Sequence, residues 1–489
     1  MAASTSSVYI PDPRRWRILI VLIVALFMSL VGVSVVNVAL PSIGHGLGAT
    51  ESELQWVLSG YALTFGIGLV SAGRAGDIYG RGPLFIAGIT VFTVASIVSG
   101  FAQDPMMLNV SRAVQGIGSG LLNPQVIGMI QQYFRGEERG LAFGYFGSAV
   151  AVAVAVGPLI GGLLIQGAGP EQGWRWTFLI NVPVGIAAIV LALVWFPKPL
   201  LNSKLPPEQR EERESSDRSL DPVAAVILGV AVLAIMLPFV EGGRSRLVWW
   251  ALPAGLALLF AWVHWERRQK RVGRRPMVDL AIFKVKSFTN GSVLITLYFM
   301  GVSSVWVIIA LYMQDGLGHS ALAAGLVGLP GALCSSVAAQ WGGHNVAKHG
   351  RMVVIAGMYS ALLGLVSSVL VVWLASRGMV SEWWLLLTLS FIGLAQGAVI
   401  TPNQTLTLAD VPLEYAGSSG GIMQTGQRIG TSVGIAVITA LTFGVLAVSN
   451  WSIAFMIGFA AIIVVVALAL LVAYADQRQR QNIDEPALV

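Results

Sequence analysis

Charge is what this sequence has least of. Only 11% of its 489 residues are Asp, Glu, Lys or Arg, against about 25% in an ordinary soluble domain. So little charge leaves most of the chain with no water-facing surface, which excludes a string of soluble domains. Cys334 is the single cysteine, so an intrachain disulfide is impossible and a cysteine-based metal site is not expected. No Gly-x-x-x-x-Gly-Lys-Ser/Thr loop occurs, which removes a recognisable ATP motor. His-Glu-x-x-His, paired catalytic carboxylates and filter-like sequence are also missing. The chain is therefore not expected to be an enzyme or a channel, and neither cofactor nor metal is expected.

What the sequence has is long apolar runs, with 55% hydrophobic residues. Fourteen stretches lie near residues 18–40, 54–72, 84–101, 107–131, 140–166, 177–196, 222–240, 248–265, 288–313, 321–341, 352–374, 383–409, 416–446 and 450–474. Most hold about 18 to 25 residues, enough to cross roughly 30 Å of hydrocarbon as helix. The expected fold is an all-α integral membrane protein. The first run follows a basic flank, as a signal peptide would. It is too long, lacks an Ala-x-Ala exit and is followed by further spans, so it reads as a retained helix.

The basic residues orient the bundle. With the N-terminus in the cytoplasm, inside segments hold 24 of the 30 Lys and Arg. Outside loops hold Arg175, Arg244, Arg246 and Arg377, and Arg112 and Arg428 fall within spans. This asymmetry puts both termini in the cytoplasm. It also assigns the net charge of +6 to short loops beside the membrane rather than to nucleic-acid binding.

Two charged linkers divide the chain into six, two and six spans: a cytoplasmic N-terminus (1–17), a first six-helix bundle (18–196), a linker (197–220), two inserted helices (221–265), a basic linker (266–287), a second six-helix bundle (288–474) and a cytoplasmic tail (475–489). Both linkers read as solvated connectors touching anionic lipid, with partner docking as the alternative. The outer sets resemble each other. Gly73-Arg-Ala-Gly-Asp77-Ile-Tyr-Gly80-Arg81 follows span 2, and Gly343-His-Asn-Val-Ala347-Lys-His-Gly350-Arg351 follows span 10. Gln115-Gly116 in span 4 is matched by Gln396-Gly397 in span 12. Such repetition is expected of carriers built from two related halves.

Several motifs occur in order on these spans: Asn37-Val-Ala-Leu-Pro41, the Gly73–Arg81 loop, Arg112-Ala-Val-Gln115-Gly116-Ile-Gly118, Gly157-Pro158-Leu-Ile-Gly161-Gly162, and Trp174-Arg-Trp-Thr-Phe-Leu-Ile-Asn181-Val-Pro183-Val-Gly185. Together they make the chain resemble the 14-helix drug:proton antiporters (EmrB/QacA type) of the major facilitator superfamily. The resemblance implies a major facilitator fold of 14 transmembrane helices in a bacterial plasma membrane. It implies export of amphipathic organic compounds driven by protons, with a small-molecule substrate, protons and lipids as partners and a monomeric carrier. It assigns Gly73, Asp77, Gly80 and Arg81 to a conformational latch, a helix-capping surface pair being the alternative. It assigns Gly157, Pro158, Gly161 and Gly162 to an antiporter motif, which tight packing alone would also explain.

Arg112 and Arg428 are the sharpest single residues, because an arginine inside a span is costly and normally faces a cavity or partner. Snorkelling to the surface is the alternative. One departure from the family stands out. The usual span-1 Asp, five residues before Asn37, is Gly32 here, so the expected proton carrier is missing. Asp315 is the preferred replacement, against the plainer reading of a helix-end acid. Candidate cavity residues are Asn37, Tyr61, Gln115, Asn123, Tyr298, Trp306, Gln314, Gln396, Asn403 and Gln424. Two arginines without the span-1 acid also leave open a cargo that is an endogenous lipid or an anionic or zwitterionic natural product.

Overall fold

The computed structural model describes residues 11–169, 171–198, 220–241, 245–274 and 276–484. Among them are α1 (Arg15–Leu47), α2 (Glu51–Tyr79), α3 (Arg81–Gly100), α4 (Pro105–Tyr133) and α5 (Gly136–Ala168). A sixth span, α6 (Gly173–Trp195), is broken at Ile180 into Gly173–Leu179 and Asn181–Trp195. An inserted pair follows, α7 (Pro222–Glu241) and α8 (Ala251–Arg271). The remainder is α9 (Lys286–Leu311), α10 (Ala321–His349), α11 (Arg351–Ala375), α12 (Leu385–Thr407), α13 (Ala416–Leu446) and α14 (Trp451–Asp484). The linker at 197–220 lies almost wholly outside the described residues.

Thirteen of these spans are long and apolar enough to cross a membrane. The exception is α4, because its polar residues are concentrated and hidden. Arg112, Gln115 and Gln125 are fully buried, Gln131 is 1% exposed and Asn123 6%. Polar side chains in a membrane bundle turn toward its interior, and those of α4 do so.

Packing repeats with a period of eight helices. In the first set α4 lies against α2 and α3, α1 against α5, and α6 against α1 and α3. In the last set α12 lies against α10 and α11, α13 against α9, and α14 against α9 and α11. The sets meet through α5 on α10 and α2 on α13. Small residues permit both approaches. At Gly140 a Cβ would strike the Gly343 carbonyl, and at Gly421 the Leu69 carbonyl. The inserted helices pair with each other, and α7 also touches α2 and α13.

Two connections differ from the sequence reading. The segment after α8 is not a solvated connector: Met277 and Val278 are each 2% exposed and Ile282 6%, and the Ser71 hydroxyl lies 4.0 Å from Met277 Sδ. Apolar residues spaced among the basic ones fold this loop back onto α2. The stretch from 475 is not a free tail either, since α14 runs to Asp484 and buries Asp476 to 1% exposure.

Candidate functional site

One end of the bundle carries the start of α1, the end of α14, the C-terminus of α2 and the N-terminus of α13. Here Asp77 reaches across between the two sets. Its Oδ1 accepts from the Gly417 amide (2.9 Å), and its Oδ2 accepts from the Ser418 amide (2.9 Å) and hydroxyl (3.1 Å). These amides form the first turn of α13, where orphan N–H groups and the helix dipole favour a carboxylate. Arg81 donates to Asp77 at 2.8 Å, to Gln132 Oε1 at 2.8 Å, and across the junction to the Leu413 carbonyl at 2.8 Å. Gly73 and Gly417 meet backbone to backbone, and a Cβ on either would strike the other's carbonyl. Gly80 supplies the turn between α2 and α3 with φ +108°, a left-handed value that suits glycine.

The junction continues through α5, α10 and α12. Ser148 donates to the Ser336 carbonyl at 2.8 Å, Thr401 to the Phe143 carbonyl at 3.3 Å, and Gln131 to the Leu408 carbonyl at 3.4 Å. Hydrogen bonds between the sets thus gather at the end that carries the chain termini.

The second copy of the loop is wired differently. Ala347 replaces the aspartate, and Arg351 turns into its own set. It pairs with Asp476 of α14 at 2.6 Å, the two side chains being 1% and 2% exposed, and also donates to Asn403. Arg480 and Asn290 complete the cluster on Asp476. Asn403, a cavity candidate in the sequence, therefore takes part in a buried ion network with Arg351 and Asp476. Its motif position hid this, because the partner lies in α14.

Deeper in the first set, Arg112 is fully buried. Its Nε donates to the Val57 carbonyl at 3.0 Å and its Nη1 to Gln115 Oε1 at 2.7 Å, while Nη2 has no partner. Its guanidinium covers the Tyr61 ring at 4.4 Å. Gln115 Nε2 donates to Ser96 at 2.6 Å, and the Tyr61 hydroxyl meets Ser119 at 2.7 Å. An arginine enclosed this way does not snorkel. Gln115 is spent on holding it and is not open to a cavity.

Arg428, on α13, covers the Phe65 ring of α2 at 4.2 Å, and Phe65 lies 5.9 Å from Tyr61. The two arginines thus flank one pair of rings across the junction. Neither has a carboxylate within salt-bridge reach among the described residues. Phe65, Ser29, Ser96 and Ser119 were not singled out in the sequence, since small polar and aromatic residues are common in any span.

The other candidates scatter. Asp315 is exposed in a turn of π-helix, Tyr312–Gly316, at the opposite end from Asp77, and the fold does not bring it to either arginine. Asn37 is exposed. Asn123 and Gln314 donate to carbonyls of their own helices. Tyr298 is 1% exposed with an unpartnered hydroxyl, and Gln424 is 7% exposed. Trp306 lies against Gly328 and Gly331 of α10, and Gln396 is half-buried. Gly157 and Gly161 let α5 touch Ser34 and Val35 of α1, Gly162 faces open space, and Pro158 sits in α5 without ending it. Gly32 faces Phe92 Cζ at 3.1 Å and Asn181 Nδ2 at 3.5 Å, measured from an added Cβ. A span-1 carboxylate would therefore meet an amide, not Arg112 directly.

The family model "Major Facilitator Superfamily" matches residues 22–435. The chain belongs to the major facilitator superfamily. It is 34% identical to the "Probable actinorhodin transporter" of Streptomyces coelicolor over 89% of this chain and 74% of that one. It is 28% identical to "Multidrug resistance protein Stp" of Mycobacterium tuberculosis, over 84% and 73%. In fold it is similar to the human organic anion transporter MFSD10, with a TM-score of 0.67 at 15% identity, over 94% of this chain and 100% of that chain. As a member of this superfamily the protein is a multi-pass membrane transporter and not an enzyme.

Proposed function

We propose that the protein is a secondary active exporter of amphipathic organic compounds in a bacterial plasma membrane. The carrying observation is the junction at the end bearing the chain termini, where Asp77 caps α13 and closes one set on the other. With both termini in the cytoplasm, a placement the basic loops support, this is a carrier sealed toward the cytoplasm. Transport then proceeds by rocking α1–α6 against α9–α14 around a site between them. Relatives named for antibiotic transport and multidrug resistance support export as the direction. Proton antiport supplies the energy, and the carrier works as a lipid-embedded monomer. Flux of a fluorescent amphipath in proteoliposomes, under an imposed pH gradient, tests this. Flux indifferent to both pH and voltage would end the antiport assignment.

A second reading concerns the cargo's charge. Arg428 has no hydrogen-bond or ion-pair partner among the described residues, Arg112 Nη2 has none, and position 32 is glycine. Uncompensated arginines in a low-dielectric bundle are costly, and a cargo bearing an acidic group and an aromatic body would offset that cost on the Tyr61–Phe65 rings. Resistance to paired anionic and cationic compounds decides between the cargo classes. Strong export of permanent cations by the wild type would count against the anionic class.

A further inference from the structure

The inserted pair carries a titratable group that the transport site does not use. Glu266, near the end of α8, is 1% exposed. Both of its carboxylate oxygens are buried and neither has a hydrogen-bond partner. Among the described residues it is the one buried carboxylate left in this condition. Asp77 and Asp476 are each held by several donors.

Its surroundings come from three elements. The folded-back loop covers it with Met277 and Val278, whose backbone amides approach without completing a hydrogen bond. The start of α7 brings Asp221, a like charge whose own oxygens cap that helix and accept from Trp265 Nε1 at 2.8 Å. From α2 comes Arg74, facing Glu266 without closing an ion pair, its Nε buried and unpartnered. Lys270, one turn further along α8, is taken by Asp279 at 2.8 Å. The ionised form of Glu266 is thus supported only by the nearby Val278 and Met277 amides and by Arg74, and burial and Asp221 oppose it. Taking a carboxylate out of water with no completed hydrogen bond favours its protonated form.

Arg74 sits three residues before Asp77 on the same helix, so the segment of α2 that docks on α13 also sets how far Arg74 stands from Glu266. We propose that Glu266 is a proton-binding site linked to the cytoplasmic seal: it holds a proton while Asp77 is docked on α13, and releases it when α2 leaves α13 and Arg74 or water reaches the carboxylate. The site reads the pH on the cytoplasmic side, and proton uptake accompanies sealing. This rests on the alternating-access reading but not on the identity of the cargo.

The test is a distance measurement across the seal. Spin labels go on Glu137→Cys and Lys348→Cys, exposed positions at the facing ends of α5 and α10, in a Cys334→Ser background of the full chain in lipid nanodiscs. Between about pH 5 and pH 9, a single linked proton changes the open-to-sealed ratio by up to about tenfold per pH unit, with sealing favoured by acid. The expected result is that Glu266→Gln flattens this dependence and populates the sealed form at all pH values, while Glu266→Asp keeps a dependence with a shifted midpoint. A wild-type slope retained in Glu266→Gln, or no slope in the wild type, overturns the proposal. Two distance populations without any transport of the dye would fail the export reading alone, and a single pH-invariant distance would fail alternating access itself.

Discussion

Replacing Asp77 by Asn changes one side chain and tests the seal directly. Asp77 is 2% exposed and makes three contacts to α13: the Gly417 amide on Oδ1, and the Ser418 amide and hydroxyl on Oδ2. Asparagine retains a single acceptor. Placed to serve Gly417 and Arg81, it turns its NH2 toward the Ser418 amide, donor against donor. One charge-assisted bond is lost, worth about 1.5–3 kcal/mol, and the attraction of a carboxylate for the helix N-terminus goes with it, roughly 0.3–1 kcal/mol. The sealed form should weaken by about 3 kcal/mol, which is about a hundredfold in the open-to-sealed ratio. The assay is cysteine accessibility from the cytoplasmic side at Ser148→Cys in a Cys334→Ser background, since Ser148 lies in the junction at 7% exposure. Labelling should speed up by a comparable factor, and the thermal unfolding of the protein should change little, because the contacts within each set are untouched. Labelling within about threefold of the parent, with Asp77→Asn normally inserted, would refute the arithmetic and with it the assignment of Asp77 as the latch.

Gly73→Ala should also loosen the seal, because the new methyl enters the Gly417 carbonyl; overpacking of about 1–3 kcal/mol corresponds to a rise of roughly five- to 150-fold in the same labelling rate. Asp476→Asn should act on stability instead, since it strips the charged partner from the buried Arg351. A loss of about 3–5 kcal/mol would appear as a clear drop in the thermal midpoint in detergent, and an unchanged melt would contradict the pairing. Gly32→Asp should be tolerated with a small shift of the Phe92 ring and let Asn181 Nδ2, which lacks a partner, donate to the new carboxylate. Resistance to permanent cations should then rise relative to anionic compounds, and the reverse order would count against a cargo choice made by charge.

Much of the fold was legible because the lipid imposes a local rule. Runs such as 18–40 and 352–374 announce spans by length and apolarity alone, and the order of Gly73–Arg81, Arg112–Gly118 and Gly157–Gly162 pointed to the superfamily. The charged linkers on either side of 221–265 pointed to two inserted helices. Less legible was α4, whose buried amides and Arg112 make it look marginal by composition, although the bundle interior accounts for each of them.

The sequence by itself determined which segments enter the membrane, which end faces the basic side, and which loops are copies of each other. Those properties depend on residues near one another in the chain. Only the tertiary structure decided what each charged residue meets. The loops ending in Arg81 and Arg351 look alike, yet one bridges the two sets through Asp77 and Ser418 while the other closes on Asp476 within its own. The loop carrying Met277, basic enough to seem solvated, is folded onto α2 over Glu266. Partner choice follows from where glycines let backbones touch and where donors are left over, and both are set by helices far apart in the chain.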